Sequence, residues 1–126
     1  MSFVLGNRSR GNLEGVHKDL VAVVERAIQI TKQDFVVIEG LRSLERQKEL
    51  VKAGKSRTMN SRHLTGHAVD ICPYPVDWSS KEKFQAINDA MEQAAKELDV
   101  NIDWGGDWKG AWDKPHYELN RRVYPA

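Results

Sequence analysis

Two segments of the 126-residue chain bring together side chains that bind metal ions and move protons, and a third lies between them. The first is Ser61-Arg62-His63-Leu64-Thr65-Gly66-His67-Ala68-Val69-Asp70, the second is Asp113-Lys114-Pro115-His116-Tyr117-Glu118, and Trp104-Gly105-Gly106-Asp107-Trp108 separates them. Zinc takes imidazole nitrogen and carboxylate oxygen at about 2.0–2.2 Å, and a zinc that works on a substrate keeps three protein ligands and an open fourth position. His63, Asp70 and His116 make such a set, two nitrogens and one oxygen. Hydrolysis at such an ion also needs a group that takes a proton from water and hands it on. Asp113 ranks first, because a loop position three residues before His116 leaves it free to face the open side. Glu118 competes, although it could instead hydrogen-bond a ligand from behind. Arg42, just after the Val36 to Glu39 strand, is the arginine best placed to face negative charge growing on a carbonyl oxygen.

The remaining reactive side chains read differently. On a strand, His67 falls on the face opposite Asp70, which points to a structural role. Cys72 shares the Asp70 face and reads as a small buried hydrophobe. His17 sits in the first helix with no ligand partners nearby and reads as structural. Trp104, Trp108 and Trp112 are either packing residues or a platform for substrate, and the sequence does not choose.

The elements that must position these groups follow from apolar period and punctuation. Val16, Leu20, Val23, Val24, Ala27 and Ile28 trace one helical face over Leu13 to Thr31, with Asn12 as N-cap. Phe35-Val36-Val37-Ile38 reads as a strand ending near Gly40. Ser43 caps a second helix from Leu44 to Ala53, stopped by Gly54. Lys55 to Arg62 reads as an exposed polar loop, and Gly66 to Ile71 as a strand ended by Pro73 and Pro75. Ser79 and Glu82 form a capping box for a third helix with Phe84, Ile87, Met91, Ala94 and Leu98 as its buried stripe. Asn101 to Glu118 holds two short strands around a Gly/Trp loop. Helices lie among strands without βαβ alternation, so the expected class is α+β: a small antiparallel sheet carrying a zinc site, packed with about three helices. Side chains from neighbouring strands, about 4.8 Å apart, can converge on one ion there, with His63 entering from the preceding loop.

Length and composition bound the rest. A chain of 14.4 kDa fits a single domain spanning 1–126, and its one cysteine excludes an internal disulfide. Nineteen basic against eighteen acidic residues, with no basic tract, give no sign of nucleic-acid binding. The apolar runs are too short for membrane insertion, and Met1 to Gly15 lacks the apolar core and cleavage site of a secretory signal.

The His63–Asp70 segment fits the pattern S-x-H-x-x-G-x-A-x-D. Together with W-G-G-D-W at Trp104–Trp108, D-x-P-H-x-E at Asp113–Glu118, and Gly40-Leu41-Arg42 followed by Arg46-Gln47, it resembles the D-alanyl-D-alanine carboxypeptidase and L-alanyl-D-glutamate peptidase family of zinc enzymes. The resemblance runs from about Gly40 to Glu118. It implies His63, Asp70 and His116 as zinc ligands, Asp113 as general acid/base and Arg42 as the group polarising the substrate carbonyl. It also implies Ser61 lining the substrate site and Trp104 shaping its wall. Many family members carry Glu where this chain has Asp113; the aspartate favours the endolysin-like branch. The resemblance therefore implies a single-domain phage endolysin, a monomer cutting the L-alanyl-D-glutamate bond of bacterial peptidoglycan. It would pass from the host cytoplasm to the wall by a holin-type route. The alternatives are a D-alanyl-D-alanine carboxypeptidase, which needs a pocket for a terminal carboxylate, and a non-catalytic zinc-stapled wall-binding module, which would need no Asp113.

Overall fold

Four antiparallel strands form the frame on which the candidate residues sit, in the spatial order β1 (Phe35–Glu39), β2 (Ala68–Pro73), β4 (His116–Leu119), β3 (Ile102–Trp104). The computed structural model describes residues 3–56, 59, 61–108, 110 and 113–125. Trp112, and residues 57, 58 and 60 of the expected polar loop, lie outside them. Around the sheet stand α1 (Asn7–Asn12), α2 (Lys18–Ile30), α3 (Leu44–Lys52) and α4 (Lys81–Leu98). The α+β class and the antiparallel sheet are as expected, with α1 an added short helix.

Period-2 alternation gives the sheet two different faces. Val37, Val69, Ile71, Tyr117 and Leu119 share a buried core with Leu20, Val23, Val24, Ala27 and Ile28 of α2 and with Phe84, Ile87, Met91 and Ala94 of α4. The opposite face carries Asp70, directly across from His116, and Ala68, across from Glu118. Burying each large apolar side chain of this core contributes about 1.5–3 kcal/mol, so the layer of α2 and α4 is what holds the polar face in place from behind.

A bulge decides one polar residue. Val37 pairs with Ile71, but the next pair is Glu39 with Asp70, so Ile38 is the extra residue. Without it Glu39 would follow Phe35 and Val37 onto the core face; with it, Glu39 turns toward Asp70. The free edge of β1 is closed by α1: the Val37 N–H donates to Ser9 Oγ (3.0 Å) and the Asn12 side chain donates to the Val37 carbonyl (2.8 Å).

The expected helix over Leu13 to Thr31 divides. Asn12 ends α1 rather than capping α2, and the chain turns at Leu13–Val16 before His17 caps α2, its Nδ1 accepting from the Asp19 N–H (3.1 Å). Leu13 and Val16 remain buried in the turn, so the apolar period runs straight through the break. Helix α4 is capped by Ser80, which accepts from the Lys83 N–H (3.2 Å), not by Ser79, which is bound to Asp77. Leu98 is 43% exposed, since α4 stops there and Asp99 turns left-handed. Strand β2 runs from Ala68 to Pro73, two residues later than the expected stretch at both its start and its end.

Candidate metal centre and active site

His63 is delivered by a 3₁₀ turn, Arg62–Thr65, that Ser61 caps by accepting from the His63 N–H (3.2 Å). The turn closes at Gly66, whose φ of +74° sits in the left-handed region. A Cβ there would also meet the Gly15 carbonyl oxygen at 2.5 Å, so both conformation and space require glycine. Arg62 is buried, not part of an exposed loop: its Nη2 donates to the carbonyls of Leu119 (2.9 Å) and Tyr124 (2.7 Å). Asp70 and His116 come from paired positions on β2 and β4. One ligand atom from each of His63, Asp70 and His116 lies within 4.8 Å of the others. Asp70 Oδ1 is 3.3 Å from both His63 Nε2 and His116 Nδ1, and the two rings meet edge to face at 5.2 Å.

The hydrogen bonds behind the rings fix which nitrogen is free. His63 Nδ1 lies 2.9 Å from the Gly40 carbonyl, which only accepts, so Nδ1 carries the proton and Nε2 presents its lone pair. His116 Nε2 lies 2.9 Å from Glu118 Oε1, so the proton sits there and Nδ1 is the nitrogen turned toward Asp70. His63 Nε2 and His116 Nδ1 therefore converge with a carboxylate oxygen, each imidazole backed by an acceptor, the arrangement that orients metal-binding histidines. Glu118 is in turn held by Arg121 Nε (3.0 Å), with Arg62 Nε 4.0 Å away. Glu118 thus stands behind His116 rather than at the open side. Cys72 and His67 are not in the ligand cluster among the described residues; Cys72 is fully buried, and His67 Nδ1 lies 2.7 Å from the Thr65 hydroxyl.

The same contacts set the protonation of the cluster in the metal-free protein. Burial pushes the Asp70 carboxyl up, but hydrogen bonds and charge from His116 and His63 outweigh it and hold it well below the usual carboxylate range. Burial pushes His116 down, yet Asp70 and Glu118 raise it to about 9. Asp113 is raised by burial, with the Asp70 charge adding to it while His116, His63 and Arg42 oppose it. Its Oδ2 is 4.0 Å from His116 Nδ1 and its side chain is about a third exposed, at the open side of the cluster. Asp113 is placed by a close approach: its carbonyl accepts from the His116 N–H (3.1 Å), and a Cβ on Gly105 would meet that oxygen at 2.0 Å.

Arg42 reaches the rim, its Nη2 4.0 Å from Asp70 Oδ2. Glu39 grips it through two hydrogen bonds (2.8 and 2.6 Å), Gln47 accepts from it at 2.7 Å, and Ser61 Oγ lies 3.5 Å away. The Glu39 pairing therefore exists alongside the rim position. Trp104 lies on the core face, stacked on Tyr117 (6.3 Å), with Nε1 donating to the Lys114 carbonyl (2.6 Å); it supports the loop bearing Asp113 from below. Among the described residues, the indole beside the cluster is Trp108, 5.2 Å from the His116 ring. Sequence reading left Trp108 undecided and did not single out Arg62 or Arg121. Their roles depend on the C-terminal turn folding back onto the 3₁₀ turn, which no local pattern announces.

A family model described as phage L-alanyl-D-glutamate peptidase matches residues 1–126. The chain belongs to the phage L-alanyl-D-glutamate peptidase family. The L-alanyl-D-glutamate peptidase of Escherichia phage T5 is 35% identical over 98% of this chain and 94% of its own length. That of Listeria phage A118 is 28% identical over 94% of this chain but only 43% of its own length. Among solved structures, the Serratia marcescens L-Ala D-Glu endopeptidase ChiX superimposes with a TM-score of 0.92 at 45% identity, covering 99% of this chain and 96% of that one. A vancomycin-resistance D,D-dipeptidase, VanXYg, shares the fold at a TM-score of 0.52 and 17% identity, over 82% of this chain and 50% of that one. Family membership makes the chain a peptidase.

Proposed function

We propose that the chain is a zinc-dependent endopeptidase that cuts the L-alanyl-D-glutamate bond of peptidoglycan stem peptides. The observation that carries this reading is the pair of imidazoles oriented by the Gly40 carbonyl and Glu118, which aim His63 Nε2, His116 Nδ1 and Asp70 at one point with Asp113 beside it. The donor set suits zinc: two nitrogens and one carboxylate oxygen, with a side left open toward Asp113. His63 Nε2, Asp70 Oδ1 and His116 Nδ1 would hold the ion, which when bound supplies Lewis acidity toward a carbonyl and acidifies water.

Asp113 takes the proton of the attacking water and returns it to the departing amine. Its burial, which favours the protonated form, suits it to carry that proton between the two steps. Arg42, locked by Glu39 and Gln47, faces the negative charge that grows on the carbonyl oxygen without reorganising as it does so. Ser61, on the same rim, lines the substrate path. Trp108 forms the wall beside His116.

The phage origin of the two curated relatives accords with a role in host lysis. Passage from the host cytoplasm to the wall by a holin-type route is part of the same proposal. The reading is tested by digesting purified sacculi with the wild type and with Asp113→Ala. New L-alanine carboxyl ends from the wild type alone, with zinc content and fold kept in the variant, are expected. Release of single D-alanine would move the activity to a carboxypeptidase, and an active Asp113→Ala would remove Asp113 from its role.

A further inference from the structure

A cavity of about 470 Å³ opens beside the 3₁₀ turn that carries His63. Met59, Ser61, Leu64, Thr65, Arg121 and Pro125 line it, together with the buried Arg62. Two arginines and no acidic side chain stand among the lining residues. The Arg121 side chain is 64% exposed, and its hydrogen bond among the described residues, to Glu118, is made by Nε and not by the terminal nitrogens. Such a planar fork is suited to a carboxylate. Ser61 belongs to both places, lining the cavity while its Oγ lies near Arg42 at the rim of the metal cluster.

The distance between the two places sets what the cavity would hold. Between the inward-facing His116 Nδ1 and Arg121 Nε stand one imidazole, one carboxylate and two hydrogen bonds of 2.9 and 3.0 Å. An extended peptide advances about 3.3–3.6 Å per residue, so one of the first two or three residues after the bond cut at the cluster comes within reach of Arg121. The apolar rim of Met59, Leu64 and Pro125 suits the aliphatic part of such a residue.

We propose that this cavity is a specificity subsite, in which Arg121 binds a free carboxylate carried by the stem peptide near the cut bond. The proposal rests on the endopeptidase reading and adds the substrate feature that the enzyme selects. The carboxylate has two sources: the one the D-glutamyl residue keeps when the chain continues through its other carboxyl, or one on a following diamino acid. Because Arg121 also touches Glu118, which orients His116, loss of Arg121 lowers turnover for two separable reasons.

Three synthetic stem peptides separate them: one with every carboxylate free, one amidated at the D-glutamyl carboxylate, and one amidated at the diamino acid. The wild type is expected to prefer the free peptide by about five- to tenfold in kcat/KM, chiefly through KM, over the peptide whose critical carboxylate is amidated. Which amide matters identifies the source. Arg121→Gln is expected to erase that preference. Met59→Glu, which places a negative charge on the rim while leaving Arg121 and Glu118 in place, is expected to reduce it. Equal cleavage of all three by the wild type would overturn the proposal. So would an Arg121→Gln loss equal across all three, which would confine Arg121 to holding Glu118. If the wild type cleaves none of them, the endopeptidase reading itself fails, and the subsite with it.

Discussion

Raising the pH of the metal-free protein from 6.5 to 9 removes the proton that His116 holds between Asp70 and Glu118. In the folded chain this imidazole titrates at about 9, against 6.5 for a free histidine. At about 1.4 kcal/mol per pH unit, the difference amounts to about 3 kcal/mol of stability. Because the folded value is the higher one, the contribution is complete below pH 6.5, declines as pH rises, and is gone above about 9. His116 is 9% exposed on its side chain, so solvent screens little of this. His67, pushed down by burial, titrates below the window, and the Cys72 thiol, pushed up by burial, titrates above it. Urea unfolding followed by tryptophan fluorescence, with a chelator present, at pH 6, 7.5 and 9 measures the slope. Against a total stability of about 5–15 kcal/mol, a fall of about 3 is easily resolved. His116→Asn should flatten the profile, and saturating zinc should abolish or reverse it, since the ion replaces the Nδ1 proton. A flat wild-type profile, or an equal slope in His116→Asn, would refute the assignment of the proton to His116.

Two substitutions test the supports of the site. Glu118→Gln removes the charge behind His116 and should weaken zinc binding about 10- to 100-fold in competition with a chromophoric chelator, whereas unchanged affinity would deny Glu118 its orienting role. Gly105→Ala forces a Cβ to within 2.0 Å of the Asp113 carbonyl oxygen, so the Asp113 loop must shift. Turnover should fall at least about tenfold with zinc content intact, and full activity would show that the placement of Asp113 tolerates the shift.

The cluster of His63, Asp70 and His116 was legible because its chemistry is written locally: His63 and Asp70 flank a short turn, and His116 begins a strand beside Asp113. The antiparallel sheet and the longer helices were legible for the same reason, through apolar period. What the sequence hid was long-range. Ile38 looks like an ordinary strand residue, yet as a bulge it turns Glu39 toward Arg42. Asn12 resembles a helix cap, but its side chain goes to the exposed edge of β1. Arg62 resembles a loop arginine until the C-terminal turn supplies the carbonyls of Leu119 and Tyr124. Strand alternation separates Trp104 from His116: Trp104 pairs with Tyr117 on the core face, while Trp108, beyond the 3₁₀ turn at Gly105–Asp107, comes round to the cluster. Glu118 and Asp113 were ranked by loop freedom alone; the hydrogen bond from His116 to Glu118 supplies a physical reason for the same order.

The central claim is that His63, Asp70 and His116 hold a zinc ion needed for peptide-bond cleavage. Its most direct test is the rate of peptidoglycan digestion by the purified protein before chelation, after it, and after zinc is added back. Activity that disappears with the chelator and returns with one equivalent of zinc is the predicted result. Activity indifferent to chelation, or absent from a folded and zinc-loaded sample, would contradict it.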